Sequence, residues 1–197
     1  MPANRRPTLL SVLTPVAGIG VVALALTALL HARTAATSSI KLASQSESWS
    51  EDSWPFPIDQ WGTGRAFRCE GGACGAELKL YLRAKLGFCR CATGVSDDDE
   101  IDRVGDTELF GSQYDPALPG HSVIAGLLKG RARRFTVHDA APSPMPVLAI
   151  ALANKCDAVV ATVAAGSELS SAQEAAALDF LRDEEVQRWA AANAQSQ

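Results

Sequence analysis

The hydrophobic pattern opens on a run of one kind. Leu9–Ala32 carries no charged side chain, and His31 is its one strongly polar residue. At about 1.5 Å per residue such a run makes a helix of roughly 36 Å, enough to cross a hydrocarbon core of about 30 Å with some tilt. Arg5 and Arg6 precede it, and a positive flank stays cytoplasmic, so the rest of the chain is expected outside. Residues 1–36 therefore read as a cytoplasmic stub and a signal-anchor transmembrane helix. A cleaved signal is the alternative. Its apolar region spans only about 7–15 residues, which favours the anchor, although Leu30-His31-Ala32 and Thr34-Ala35-Ala36 fit a small-x-small cleavage site. Pro15 is a kink that membrane helices tolerate. Pro7-Thr8-Leu9-Leu10 matches a twin-arginine signal poorly.

The pattern then changes. Residues 37–53 are dominated by Ser, Thr, Gln and Glu without a sustained apolar period and read as a flexible tether. A folded domain is expected over 54–192, opening at Trp54-Pro55-Phe56-Pro57, where two aromatics close one end of a core or form a sugar- or peptide-stacking surface. Glu77–Phe88 alternates: Leu78, Leu80, Leu82, Ala84, Leu86 and Phe88 take one parity, and Glu77, Lys79, Tyr81, Arg83 and Lys85 the other. That period of two predicts a strand with one face on the core and one in water, the habit of antiparallel sheets. Ser96 is expected to cap a short helix whose first turn is acidic. Ser122–Leu128 and Ala132–His138 read as strands joined near Lys129-Gly130. Val147–Ala153 and Ala158–Ala164, almost wholly apolar, read as central strands across Asn154-Lys155-Cys156-Asp157. Ser171-Ala172-Gln173-Glu174 reads as a capping box that starts a C-terminal amphipathic helix. The predicted class is α+β, one antiparallel sheet with a short acidic helix and a terminal helix.

Charge is divided unevenly. Arg5, Arg6, Arg33 and Lys41 are the only charges before residue 42, which leaves 14 basic against 22 acidic side chains beyond it, a net charge of −8. An acidic exported domain is unsuited to general nucleic-acid binding. Lys129, Arg131, Arg133 and Arg134 form the one basic cluster. It reads either as a patch for an anionic lipid, glycan or acidic partner, or as a solvated, aggregation-resisting edge.

Five cysteines remain to be placed: Cys69, Cys74, Cys89, Cys91 and Cys156. Outside the cytosol the default is disulfides, and an odd count leaves a thiol unpaired or intermolecular. Cys89 and Cys91, if extended, lie about 6.6 Å apart on one face, poorly aimed at each other. Each therefore prefers a partner elsewhere. Cys69 and Cys74 flank a flexible turn and can meet each other or face the Cys89–Cys91 strand. A zinc site of Cys69, Cys74, Cys89 and Cys91 is the alternative, at intervals of four residues and one where about two to four are usual. A redox-active thiol pair is another, without the Cys-x-x-Cys of thioredoxin-like sites.

Catalytic patterns are sparse. His121 and His138 are the histidines of the domain; His138-Asp139 offers a base with its carboxylate, and Ser122 or Ser167 a nucleophile. No Gly-x-Ser-x-Gly elbow, His-Glu-x-x-His helix or phosphate-binding glycine loop occurs. The acidic run from Asp97 lacks the glycine that an EF-hand loop needs at its sixth position, where Asp102 stands. No catalytic residue and no cofactor are assigned.

At Trp54-Pro-Phe-Pro-Ile-Asp-Gln-Trp61, Gly87-Phe-Cys-Arg-Cys91 and Asn154-Lys-Cys-Asp157 the sequence resembles exported and membrane-anchored proteins of alphaproteobacteria with no known activity. The resemblance spans roughly Trp54 to Trp189 and implies a compartment without a catalytic residue. The expectation is a single-pass, membrane-tethered periplasmic domain, braced by disulfides, that binds or assembles with an envelope protein. An envelope enzyme using His121 or His138 and a cysteine-based zinc or redox module are the competing readings.

Overall fold

The computed structural model describes residues 48–141 and 144–194. The anchor and most of the tether lie outside them. Among the described residues no helix is long and apolar enough to cross a membrane.

The domain is α+β and built on one antiparallel sheet of eight strands. They are β1 (Trp49–Asp52), β2 (Arg65–Cys69), β3 (Leu78–Lys85), β4 (Tyr114–Pro116), β5 (His121–Ala125), β6 (Leu128–Val137), β7 (Met145–Asn154) and β8 (Asp157–Ala165). In space the order is β1-β2-β3-β8-β7-β6, and β4 and β5 share the outer edge of β6, end to end. The helices are α1 (Gly71–Cys74), α2 (Asp98–Val104), α3 (Ser171–Leu181) and α4 (Glu184–Ala194). The row Trp49, Cys69, Leu78, Ala165 marks one end of the sheet. The pairs Lys85–Ala158 and Asn154–Asp157 mark the other.

Both faces are covered. Leu80 and Leu82 of β3, Ala161 and Val163 of β8, and Leu148 and Ile150 of β7 pack under Phe180, Leu181 and Val186 of the C-terminal helices. The opposite parity, Ala149, Ala151, Val160 and Phe135, packs under Ile101 and Val104 of α2 together with Cys89 and Val95. The second cover corrects the expectation that the polar face of β3 lies in water. Lys79 is exposed and Tyr81 half-buried, but Arg83 and Lys85 are each 1% exposed.

Other differences have local causes. Trp49–Asp52, within the expected tether, forms the edge strand β1 because Trp49 stacks on Phe180 at 4.8 Å. The acidic helix is capped by Asp97, whose carboxylate accepts from the Glu100 backbone N–H, rather than by Ser96. The β5–β6 turn falls at Gly126-Leu127 rather than Lys129-Gly130, since Gly126 supplies the positive φ of 60°. Gly130 stays in the strand, where a Cβ would lie 1.8 Å from the Ala151 carbonyl oxygen. The β7–β8 hairpin turns on Lys155 and Cys156, inside the expected tetrapeptide. The C-terminal capping box is Ser170 with Gln173, one residue early, and the helix breaks after Leu181 where Asp183 accepts from the Glu185 N–H and starts α4.

Candidate binding cleft

On the α2 face of β3, an ion cluster buries Arg83, Lys85 and Asp106 and carries the exposed Asp59 at its rim. Arg83 donates from Nε and Nη2 to the two Asp106 carboxylate oxygens at 3.0 and 2.7 Å, and from Nη1 to Asp59 at 2.6 Å. Lys85 Nζ lies 2.7 Å from Asp106 and donates to the Gly105 carbonyl at 3.3 Å. Trp54 covers the Arg83 guanidinium, and Trp61 and Phe88 flank the Lys85 ammonium, within 5.5–5.6 Å of the ring centroids. Two buried cations are expensive in a low dielectric unless charge and hydrogen bonds compensate them. Here two carboxylates do so. Burial alone would raise the Asp59 carboxyl; hydrogen bonds from Arg83 and the Trp61 N–H, with the Arg83 and Lys85 charges, outweigh it and hold the group below its ordinary range.

The cluster clamps two loops that are far apart in sequence. Asp59 belongs to the loop between β1 and β2, and Asp106 to the loop after α2. Each loop contributes an aromatic, Phe56 and Phe110, on either side of Tyr81 of β3. The three ring centroids are 4.9, 5.3 and 5.4 Å apart, all edge-on. Rings this close fill the space among themselves, so they leave no cage for a cation. They form a stiff wall instead.

That wall bounds an open cleft of about 660 Å³ at the Leu78 end of the sheet. Ala164 and Met145 supply its floor, Ala141 its far side, and Lys79, Glu77 and Ser167 line it as well. Its lining is mainly apolar with few polar groups, the usual make-up of a small-molecule pocket. Burial and the Asp52 charge both push the Tyr81 phenol up.

The residues singled out from the sequence are dispersed. Cys69 is bonded to Cys74 and Cys91 to Cys156, with Cα–Cα distances of 6.2 and 4.1 Å. Cys89 is a buried free thiol. Three of the four sulfurs of the alternative zinc set are thus in disulfides and cannot act as thiolates. Among the described residues no group of three His, Cys, Asp or Glu is placed to hold a metal ion. His121 Nε2 lies 2.6 Å from Glu174, whose other oxygen accepts from Arg134 at 3.1 Å. His138 lies 3.2 Å from Asp115. It is not oriented by Asp139, which accepts from the backbone N–H groups of Ser112 and Gln113 and from the Ser112 hydroxyl. In the basic cluster, Arg131 meets Asp98 at 2.5 Å and Arg133 meets Asp102 at 2.6 Å, so with Arg134 on Glu174 three of its cations face acids of the same chain. Lys129 is exposed. Ser122 lies exposed on β5, and Ser167 reaches the cleft.

Sequence reasoning missed the ion cluster, and a signal for it existed. β7 and β8 are apolar on both parities, which requires both sheet faces to be covered, and β3 beside them shares that cover. No protein-family model matches the chain, and no curated protein sequence is significantly similar to it.

Proposed function

We propose that this chain is an extracytoplasmic binding domain, held at a membrane by its N-terminal apolar segment, whose cleft takes a small amphiphilic molecule. The observation that carries the reading is the cleft of about 660 Å³ with its clamped aromatic wall. The apolar body of the ligand lies between that wall and Ala164, and an anionic group reaches the exposed Lys79. Two disulfides fit a domain stabilised by them outside the cytosol. His121 and His138 pair with separate acids, Glu174 and Asp115, and of the groups weighed as catalytic only Ser167 lines the cleft, which favours binding over catalysis.

Titration with 8-anilinonaphthalene-1-sulfonate, an anionic amphiphile, tests the site. Saturable one-site fluorescence is expected, weakened at least tenfold by Ala141→Trp, which fills the cleft from its exposed side, and weakened by Lys79→Glu. Absence of saturable binding, or equal binding by Ala141→Trp, overturns the proposal. A reporter fused to the carboxyl end tests the topology: activity confined to the cytosol refutes the tether.

A further inference from the structure

Three cysteines gather around the β7–β8 turn, and only two of them are bonded. The Cys89 backbone N–H donates to the Cys156 carbonyl at 3.0 Å. The Cys89 Sγ lies 3.4 Å from the Lys155 carbonyl oxygen and 3.2 Å from that of Asp157, the two residues flanking Cys156. The free thiol is therefore seated against the turn that carries Cys156, while Cys156 is bonded to Cys91. Arg90 alone separates Cys89 from Cys91, so both start from one short segment and both reach the same turn. Their surroundings differ. Cys89 is 6% exposed, whereas Cys91 is exposed and lines a groove of about 500 Å³.

We infer that Cys89, Cys91 and Cys156 form a thiol–disulfide exchange site, in which Cys156 changes partner from Cys91 to Cys89 and a reactive Cys91 thiol is presented at the surface. The Cys89 thiol first loses its proton to solvent, and its thiolate attacks the Cys156 sulfur. The Cys89–Cys156 bond forms as the Cys91–Cys156 bond breaks, and Cys91 leaves with the electron pair and takes up a proton. One disulfide and one thiol stand on each side, so the step needs neither oxidant nor reductant. The groups facing Cys89 keep the resting state in place: burial, then Glu100 of α2 and Asp157 of β8, hold its proton on, against the opposing charge of Arg103. Exchange is accordingly slow near neutrality and faster in alkali. The substrate class of the exposed form is an accessible disulfide, on a protein or a small molecule.

The test uses the full-length oxidised protein, treated natively with N-ethylmaleimide at pH 7 and pH 9 and mapped by mass spectrometry without reduction. Label on Cys91 in molecules that contain a Cys89–Cys156 bond is expected, appearing at least tenfold faster at pH 9. Cys89→Ser should abolish that labelling, and Cys91→Ser should retain two disulfides, one of them Cys89–Cys156. Label confined to Cys89, or no label before unfolding, overturns the inference, as does a folded Cys91→Ser protein with Cys89 and Cys156 both free. Should Cys91→Ser fail to fold, the wild-type map decides alone.

Discussion

Replacing Asp106 by alanine leaves Arg83 with only the exposed Asp59 and Lys85 with only Glu108 at 3.9 Å, while both cations stay buried. Removing one partner of a buried ion pair costs about 3–5 kcal/mol, and urea unfolding of Asp106→Ala is expected to show a loss of that size. Lys85→Met should behave differently. Arg83 still satisfies both Asp106 oxygens, and a methionine fits between Trp61 and Phe88, so the change should stay within about 1 kcal/mol. Gly130→Ala sets a methyl against the Ala151 carbonyl and is expected to cost about 3 kcal/mol, the upper end of over-packing. Asp98 supplies the pH dependence. A hydrogen bond from Arg131 comes first among the causes that hold its carboxyl below the ordinary 3.8; burial opposes it next, and the Gly120 N–H and the Arg133 charge add to the lowering. A depressed folded-state value adds stability above the ordinary value, and that stability is lost as pH falls through the folded one. Thermal unfolding should thus fall from pH 5 towards pH 2 more steeply in the wild type than in Asp98→Asn.

Among the elements, the β7–β8 hairpin was legible down to its turn, because two apolar runs flank a polar tetrapeptide and nothing competes with that register. Lys155 sits there with φ at 59°, a left-handed conformation that costs a non-glycine residue about 1–2 kcal/mol. Lys155→Gly is expected to recover part of that, about 0.5–1 kcal/mol of unfolding free energy after the entropic cost of glycine. The sequence pattern places the β5–β6 turn three residues late because two glycines compete for it, and only strand pairing decides that Gly126 turns while Gly130 packs. Alternation in β3 gave the strand but not the fate of Arg83 and Lys85. Their acids, Asp106 and Asp59, lie 23 and 24 residues from Arg83, and no local pattern links groups so far apart. The cleft was hidden for the same reason, since its wall draws Phe56, Tyr81 and Phe110 from three separate segments.

For the whole molecule, the two disulfides differ in reach. Cys91–Cys156 closes a separation of 65 residues and Cys69–Cys74 one of 5. On loop-closure entropy the first restricts the unfolded chain by about 4 kcal/mol and the second by about 2 kcal/mol. Denaturant unfolding should therefore show a larger loss for Cys156→Ser than for the Cys69→Ser, Cys74→Ser double variant. If Cys89 takes over as partner, Cys91→Ser should lose less than Cys156→Ser.

The strand order also separates two chemistries along one axis. β3 runs from the cleft at Leu78 to the cysteine turn beyond Lys85, and eight residues at about 3.3 Å each put roughly 26 Å between them. A visitor small enough to fill the aromatic pocket leaves the sulfur-bearing pole untouched, and a macromolecule seated on that pole leaves the pocket open. Occupancy at one pole and electron traffic at the other can then proceed in the same molecule at the same time.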